Sequence, residues 1–211
     1  MDIIRVLSIK KKDKYKWVKY YEIETYKYYD YIIKMDILPS NKNILEIGSG
    51  GGIFYSKYKD VLTKKNNNYT CIDIHKQSIE YAKKQSQYVD FYVKDILEFT
   101  KKDLKEFDML LLVQSYIQIP DIDKIFKKYF KVNPNGRIIM VNTIFPVTLS
   151  NIIKNIKTRV LPAIANNDCV SGDAMNIYEI KKLEKYLNRK IKNTIISTSV
   201  IGFPQYLTEI Y

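Results

Sequence analysis

From residue 43 onward, short continuous apolar runs alternate with longer stretches in which apolar residues recur every three or four positions. The runs "NILEIG" (43–48), "YTCIDI" (69–74), "VDFYVKDI" (89–96), "FDMLLLVQS" (107–115) and "RIIMVNT" (137–143) predict strands. Between them, "IFYSKYKDVLTKK" (53–65), "KQSIEYAKKQSQ" (76–87) and "DIDKIFKKYFK" (121–131) predict helices. In the last, Ile122, Ile125, Phe126 and Tyr129 share one face, and Asp121 stands where a cap is expected. "NPNG" (133–136) is turn chemistry. Regular alternation of strand and helix predicts a doubly wound α/β fold, with a parallel sheet covered by helices on both faces.

The two ends of the chain follow other patterns. In "WVKYYEIETYKYYDYIIKM" (17–35), Trp17, Tyr20, Tyr21, Tyr28, Tyr31 and Ile32 recur at helical spacing, and Pro39-Ser40 ends the segment. Residues 1–40 are therefore expected to form an N-terminal helical lid segment of the same domain whose core spans 41–211. After residue 143, a helix is expected near 147–159, an irregular loop over "PAIANNDCVSGDAMN" (162–176) and a helix at 177–188. The strand candidates "IKNTIISTSV" and "FPQYLTEIY" lie next to one another in the tail and predict an antiparallel hairpin at the sheet edge.

Composition narrows the function classes. A chain of 211 residues supports one domain with a substantial core. Its apolar residues fall in short runs, none near the roughly 18 consecutive positions a membrane span needs. At the start, the apolar stretch precedes the lysines, the reverse of a secretory signal, so a cytoplasmic protein with no membrane partner is expected. Cys71 and Cys169 give neither a disulfide framework nor a metal-ligand spacing, and a single histidine, His75, rules out a His-rich zinc site, so no metal is indicated. The net charge of +12 would suit a polyanion. A codon bias competes with that reading, because Lys, Ile, Asn and Tyr, which have A/T-rich codons, are over-used together. Solvated lysine faces are the usual outcome, which makes a nucleic-acid partner the weaker reading.

The sharpest signal is the cluster "GSGGG" at 48–52, which holds four of the chain's seven glycines. Glycine is needed where backbone turns tightly or lies against a ligand. A strand, a glycine-rich turn, a helix N-terminus and an acidic residue ending the next strand make up the nucleoside-binding arrangement of open α/β sheets, with ligands at the carboxyl ends of the strands. Asp73, ending the second strand, can accept both hydrogens of a ribose diol. The dinucleotide fingerprint GxGxxG fails, because Ile53 stands where its final glycine is required. Glu46, two residues before Gly48, suits a cationic ligand and would repel a pyrophosphate.

On these residues the chain resembles the class I S-adenosylmethionine-dependent methyltransferase family over most of residues 15–211. "ILEIGSGGG" is similar to the family's first motif, with Glu46, Gly48, Gly50 and Gly52 at its defining positions. "CIDIHKQSIEYAKK" resembles the second, with Asp73 as the ribose-binding acid, Ile74 beside it on the cofactor side and Ala82 at the helix alanine. "VKDI" resembles the third, which implies that Asp95 faces the adenine amino group and that the Ile96 N–H faces the ring. "FDMLLLVQSYIQIPD" and "NPNGRIIMVN" are similar to the fourth and fifth strands. The resemblance implies S-adenosyl-L-methionine as cofactor and a Rossmann-like, mostly parallel sheet of seven strands whose C-terminal hairpin is antiparallel. His75 follows Asp73 as a cap or adenosine-edge contact, not as a base.

The acceptor is less clearly marked. Methyl transfer from a sulfonium is an in-line displacement in which alignment and water exclusion supply much of the catalysis. Many small-molecule members carry a histidine after the fourth strand, where this chain has Gln118. Neither the tetrad of DNA amino-methyltransferases nor a Pro-Cys nucleophile is present. Gln114, Ser115 and Tyr116 leave the carboxyl end of the buried fourth strand and, with Gln118, are the acceptor-side candidates. The Tyr-rich helix and the loop at 164–176 are expected to form the lid that selects the acceptor. No catalytic residue is assigned. A small-molecule acceptor, such as a sugar or other metabolite, is the leading expectation, with an RNA-directed enzyme and a non-catalytic adenosine-binding partner subunit as the alternatives.

Overall fold

In a computed structural model, residues 30, 32–86, 89–113, 115–116, 119–145, 174–198 and 204–211 are described. The sheet runs through strands β1 (Asn43–Ile47), β2 (Asn68–Asp73), β3 (Asp90–Val93), β4 (Met109–Val113), β5 (Arg137–Phe145), β7 (Ile191–Thr198) and β8 (Pro204–Ile210), in the spatial order β3-β2-β1-β4-β5-β8-β7. The first five are mutually parallel, and β8 lies antiparallel between β5 and β7. This is the expected doubly wound sheet with its closing hairpin.

Helices α1 (Ile53–Lys64), α2 (Lys76–Gln85), α3 (Lys101–Lys105), α4 (Ile122–Val132) and α5 (Ile177–Leu187) cover both faces. The alternation of side chains along each strand divides the core in two. Leu45, Ile47, Leu110, Leu112, Ile138 and Met140 pack with residues of α3, α4 and α5, such as Leu104, Phe126 and Leu183. Ile44, Cys71, Leu111, Val113, Ile139 and Val141 pack with Phe54, Tyr58 and Leu62 of α1, with Ile79 and Ala82 of α2, and with Ile32 and Leu38. All five residues of β4 are buried, which explains why its sequence shows no polar alternation.

Local chemistry departs from the sequence reading at three places. Helix α3 has only five residues, too few for a periodic signal; Thr100 and Asp103 start it with a capping box. Asp121 precedes α4 but does not cap it with its side chain. Its backbone is left-handed at φ 57°, which turns the carboxylate from the first-turn N–H groups toward Lys124, 3.1 Å away. The third departure is a short extra strand, β6 (Ala174–Asn176), inside the segment expected to be irregular. It pairs in parallel with Thr143–Phe145, beyond the last β4–β5 pair, Val113↔Val141. Thr143 also pairs with Gln205 of β8, and a strand residue has only two edges, so β6 takes the edge of β5 that β4 leaves empty. β6 therefore stands in line beyond the carboxyl end of β4.

The start of the expected N-terminal helix and the helix at 147–159 lie outside the described residues, as do Cys169 and most of the 164–176 loop. Asp30 accepts from Lys57 Nζ at 2.8 Å and bonds Tyr58, which ties the beginning of the described chain to α1. No helix among the described residues is long and apolar enough to cross a membrane.

Buried Glu209 on β8 is answered by Arg137 Nη2 at 2.8 Å, with Lys192 farther away at 3.8 Å. Removing one partner of such a pair strands the other charge. Arg137→Leu should cost roughly 2–4 kcal/mol in urea unfolding, and Arg137→Leu/Glu209→Leu should regain most of it. Equal stability of the single variant and the wild type would contradict this account.

Candidate functional site

The chain passes from β1 to β2 and β3 on one side, then returns to place β4 and β5 on the other. Such a reversal opens a crevice at the carboxyl end of the central strand, where loops diverge. Residues 48–52 occupy that place, between β1 and α1.

Three glycines of this loop have left-handed backbone: Gly48 (φ 72°), Gly50 (φ 53°) and Gly52 (φ 70°). Two also have no room for a side chain. A Cβ on Gly48 would stand 2.5 Å from Ser115 Cβ, and one on Gly52 would stand 2.7 Å from the Phe91 ring and 3.1 Å from Ala82 Cβ. Gly52 thus lets the start of α1 settle against α2 and β3, and Ala82 is small for the same reason. Gly50 has no atom within 4 Å of such a Cβ. Its outer side is the open one, against which a ligand can lie.

The loop is fastened to β2. Ile72 O accepts from the N–H groups of Gly48 and Ser49 at 2.9 and 3.1 Å. Asp73 Oδ2 accepts from Gly50 N at 2.9 Å, and its Oδ1 accepts from His75 N at 2.8 Å. Each carboxylate oxygen keeps further acceptor capacity, so Asp73 can hold the loop and still take two hydroxyl donors. His75 occupies the N-cap position of α2, but its imidazole makes no capping bond. Ile74, beside Asp73, is 63% exposed, an apolar surface at the edge of the crevice. Asp95 caps a 3₁₀ turn, Ile96–Glu98, accepting from Leu97 N at 2.9 Å. Ile96 starts that turn with its side chain buried, and its N–H has no intrahelical acceptor. Asp73, Ile74, Asp95, Ile96 and the loop glycines all lie at the carboxyl ends of β1, β2 and β3.

Glu46 lies under the loop, not in the crevice. It is 1% exposed, and its Oε2 receives both the Tyr69 hydroxyl at 2.9 Å and the Cys71 thiol at 3.6 Å. Burial pushes its carboxyl up to about 7; the bonds from Tyr69 and Cys71 work against that rise, and Asp73 adds a small push upward. The Cys71 thiol is raised by burial and by Glu46. Strand register explains this trio. Glu46 pairs with Cys71 and Ile44 with Tyr69, so all three side chains share one face. Sequence reasoning singled out Glu46 and missed Tyr69, whose only signal is its place two residues before Cys71 in the partner strand.

Of the acceptor-side candidates, Gln114 and Gln118 lie outside the described residues. Ser115 is buried, with its hydroxyl donated to Ile47 O at 2.6 Å. The ring of Tyr116 stacks on Phe126 of α4 at 5.9 Å. A separate cleft of about 340 Å³ lies on the β2–β3 face toward α3, lined in part by Thr70, Tyr92, Phe99 and Glu106. None of the loop glycines lines it. No group of carboxylate, cysteine and histidine side chains that could hold a metal occurs among the described residues.

A family model described as a methyltransferase domain matches residues 38–194. No curated protein sequence matches the chain. Among solved structures, a SAM-dependent methyltransferase from Aquifex aeolicus is similar at 10% identity and TM-score 0.60, covering 87% of this chain and 89% of that one. The plantazolicin methyltransferase BpumL, solved with a pentazolic desmethylPZN analog and SAH, is similar at 17% identity and TM-score 0.61, covering 98% and 90%. The CMeT domain of the citrinin polyketide synthase is similar at 17% identity and TM-score 0.57, covering 82% of this chain and 46% of that one. At these identities the structural likeness establishes the fold.

The geometry around Glu46 has a measurable consequence. Its carboxyl titrates near 7 in the folded chain against an ordinary value of 4.5, so the folded state keeps a proton that the unfolded chain releases. The stability this contributes is complete below about pH 4.5 and is lost as pH rises to about 7. Glu46→Gln removes the titration. Relative to wild type, the variant should gain roughly 2–3 kcal/mol in urea unfolding between pH 5 and pH 8. A difference that does not change with pH would contradict the buried, proton-holding Glu46.

Proposed function

The chain belongs to the class I S-adenosylmethionine-dependent methyltransferase family, and we propose that it methylates a small-molecule acceptor held above the carboxyl end of β4. The family fixes the reaction type and the cofactor. When bound, S-adenosylmethionine supplies an electrophilic methyl group on a sulfonium centre.

The residues at the crevice fit that cofactor. The open side of Gly50 admits close approach, and the spare lone pairs of Asp73 suit a ribose diol. Exposed Ile74 offers an apolar surface for the adenine, with Asp95 and the Ile96 N–H as its polar partners. Buried Glu46 stands beneath the loop, and where it is ionised, above about pH 7, its charge favours a cation above it over a pyrophosphate. The fixed loop and the packed aromatic residues below it hold the donor in one orientation, which is the main service an enzyme renders to an already reactive methyl group.

The observation that carries the acceptor class is the position of β6. It overhangs the end of β4, where Ser115 and Tyr116 leave the sheet, so the chain's own backbone walls the transfer region. A walled region suits a small acceptor, and a polymer would need an open approach. BpumL, similar in fold over 90% of its chain, is a plantazolicin methyltransferase solved with desmethylPZN analogs. Apart from Asp30 and residues 174–176, the lid segments expected at 20–31 and 164–176 lie outside the described residues.

The test is transfer of labelled methyl from S-adenosylmethionine in an extract of the source cells, followed by separation of low-mass compounds, RNA and protein. Wild type should place label in the low-mass fraction. Asp73→Ala should reduce that labelling about 100-fold at subsaturating cofactor, because it removes charge-assisted bonds worth about 1.5–3 kcal/mol each. Label in RNA or protein would contradict the proposed acceptor class, and no label in any fraction would favour a non-catalytic cofactor-binding subunit.

A further inference from the structure

We propose that Ser115 is a positioning residue that latches the glycine loop to the chain leaving β4, so that the cofactor seat and the acceptor side are held as one unit. This rests on the cofactor reading of the loop.

The loop has two flanks. On the β2 side it is tied by the two N–H bonds to Ile72 O and by the bond from Gly50 N to Asp73. In a strand, a carbonyl and the next N–H point to opposite edges. Because Gly48 N–H reaches toward β2, Ile47 O faces β4. There the register between β1 and β4 ends at Glu46↔Leu111, short of the loop. The Ser115 hydroxyl spans this gap, donating to Ile47 O at 2.6 Å across 68 positions of sequence.

The same side chain also sets the height of the loop. Its Cβ lies 2.5 Å from where a Cβ on Gly48 would stand, so the Ser115 methylene fills the space that the missing side chain of Gly48 leaves. Ser115 is 7% exposed, so its bond to Ile47 is shielded from water. The next residue, Tyr116, stacks on Phe126 in the buried face of α4. The loop is thereby connected through Ser115 and Tyr116 to the helical layer beneath the acceptor side. Without the hydroxyl, the hydrogen bonds that tie Gly48 and Gly50 to a neighbouring strand among the described residues all come from the β2 flank.

The experiment compares S-adenosylhomocysteine affinity, by calorimetry, with unfolding in urea without ligand. The variants are Ser115→Ala, Ser115→Cys and Thr208→Ala. Thr208 is a control of similar chemistry, a buried hydroxyl donating to Asn193 at 2.7 Å on the closing hairpin. Ser115→Ala should weaken affinity about tenfold, equivalent to about 1.4 kcal/mol. Ser115→Cys, which keeps the methylene and a weak donor, should recover part of the loss. Thr208→Ala should remain within about twofold of wild type even where its unfolding cost equals that of Ser115→Ala. The latch is overturned if Ser115→Ala binds within about twofold of wild type, or if Thr208→Ala weakens binding equally. Should Ser115→Ala not fold, Ser115→Cys binding like wild type overturns it and weakened binding supports it. Wild type that binds no S-adenosylhomocysteine would overturn the cofactor reading itself, a result distinct from the others.

Discussion

The bond between the Gly50 N–H and the Asp73 carboxylate joins the two strands on which the site depends. Asp73 ends β2 and Gly50 lies at the turn leaving β1, so this carboxylate, together with Ile72 O, fixes how far the loop stands from its neighbouring strand. Its other oxygen holds the backbone N–H of His75, the residue that precedes α2. An acceptor group with spare lone pairs and two backbone donors is both a structural tie and a ready receptor for hydroxyls. The left-handed glycines follow from that tie, because only glycine takes such φ values without strain while leaving the outer side of the loop bare.

Beneath the loop, the chemistry is different in kind. Glu46 is buried where an isolated carboxylate would be costly, and the structure meets the cost with the donors Tyr69 and Cys71 and with a raised pKa. The arrangement places a responsive charge below the crevice without opening it to solvent. The 340 Å³ cleft on the β2–β3 face lacks the glycine cradle and the paired acceptor groups. Cavity shape and site chemistry point to different places in this molecule, and the proposed cofactor seat rests on the chemistry.

Much of this was legible in the sequence because it depends on local rules. Apolar runs of strand length gave β1 to β5, helical spacing gave α1, α2 and α4, and the helix expected at 177–188 is α5. Glycines 48, 50 and 52 announced a loop with unusual backbone, and each has it. What was not legible depends on register or on nonlocal contact. The partnership of Glu46 with Tyr69 follows only once β1 and β2 are aligned residue by residue. Ser115 reads as a residue leaving a buried strand toward the acceptor, and only the fold brings its hydroxyl to Ile47. Asp121 carries the right side chain for a cap on a backbone of the wrong hand. β6 is three residues long and exists through its pairing with β5, so no periodicity could announce it.

The central claim is that the open side of the glycine loop seats S-adenosylmethionine. Amide chemical shifts of the isotopically labelled protein, followed while S-adenosylhomocysteine and then NAD are added, test it at residue resolution. The account predicts saturable shifts at Gly48, Gly50, Ile74 and Ile96 with S-adenosylhomocysteine and none of comparable size with NAD. Shifts confined to Thr70, Tyr92 and Glu106 around the β2–β3 cleft, or a response of the loop to NAD alone, would contradict it.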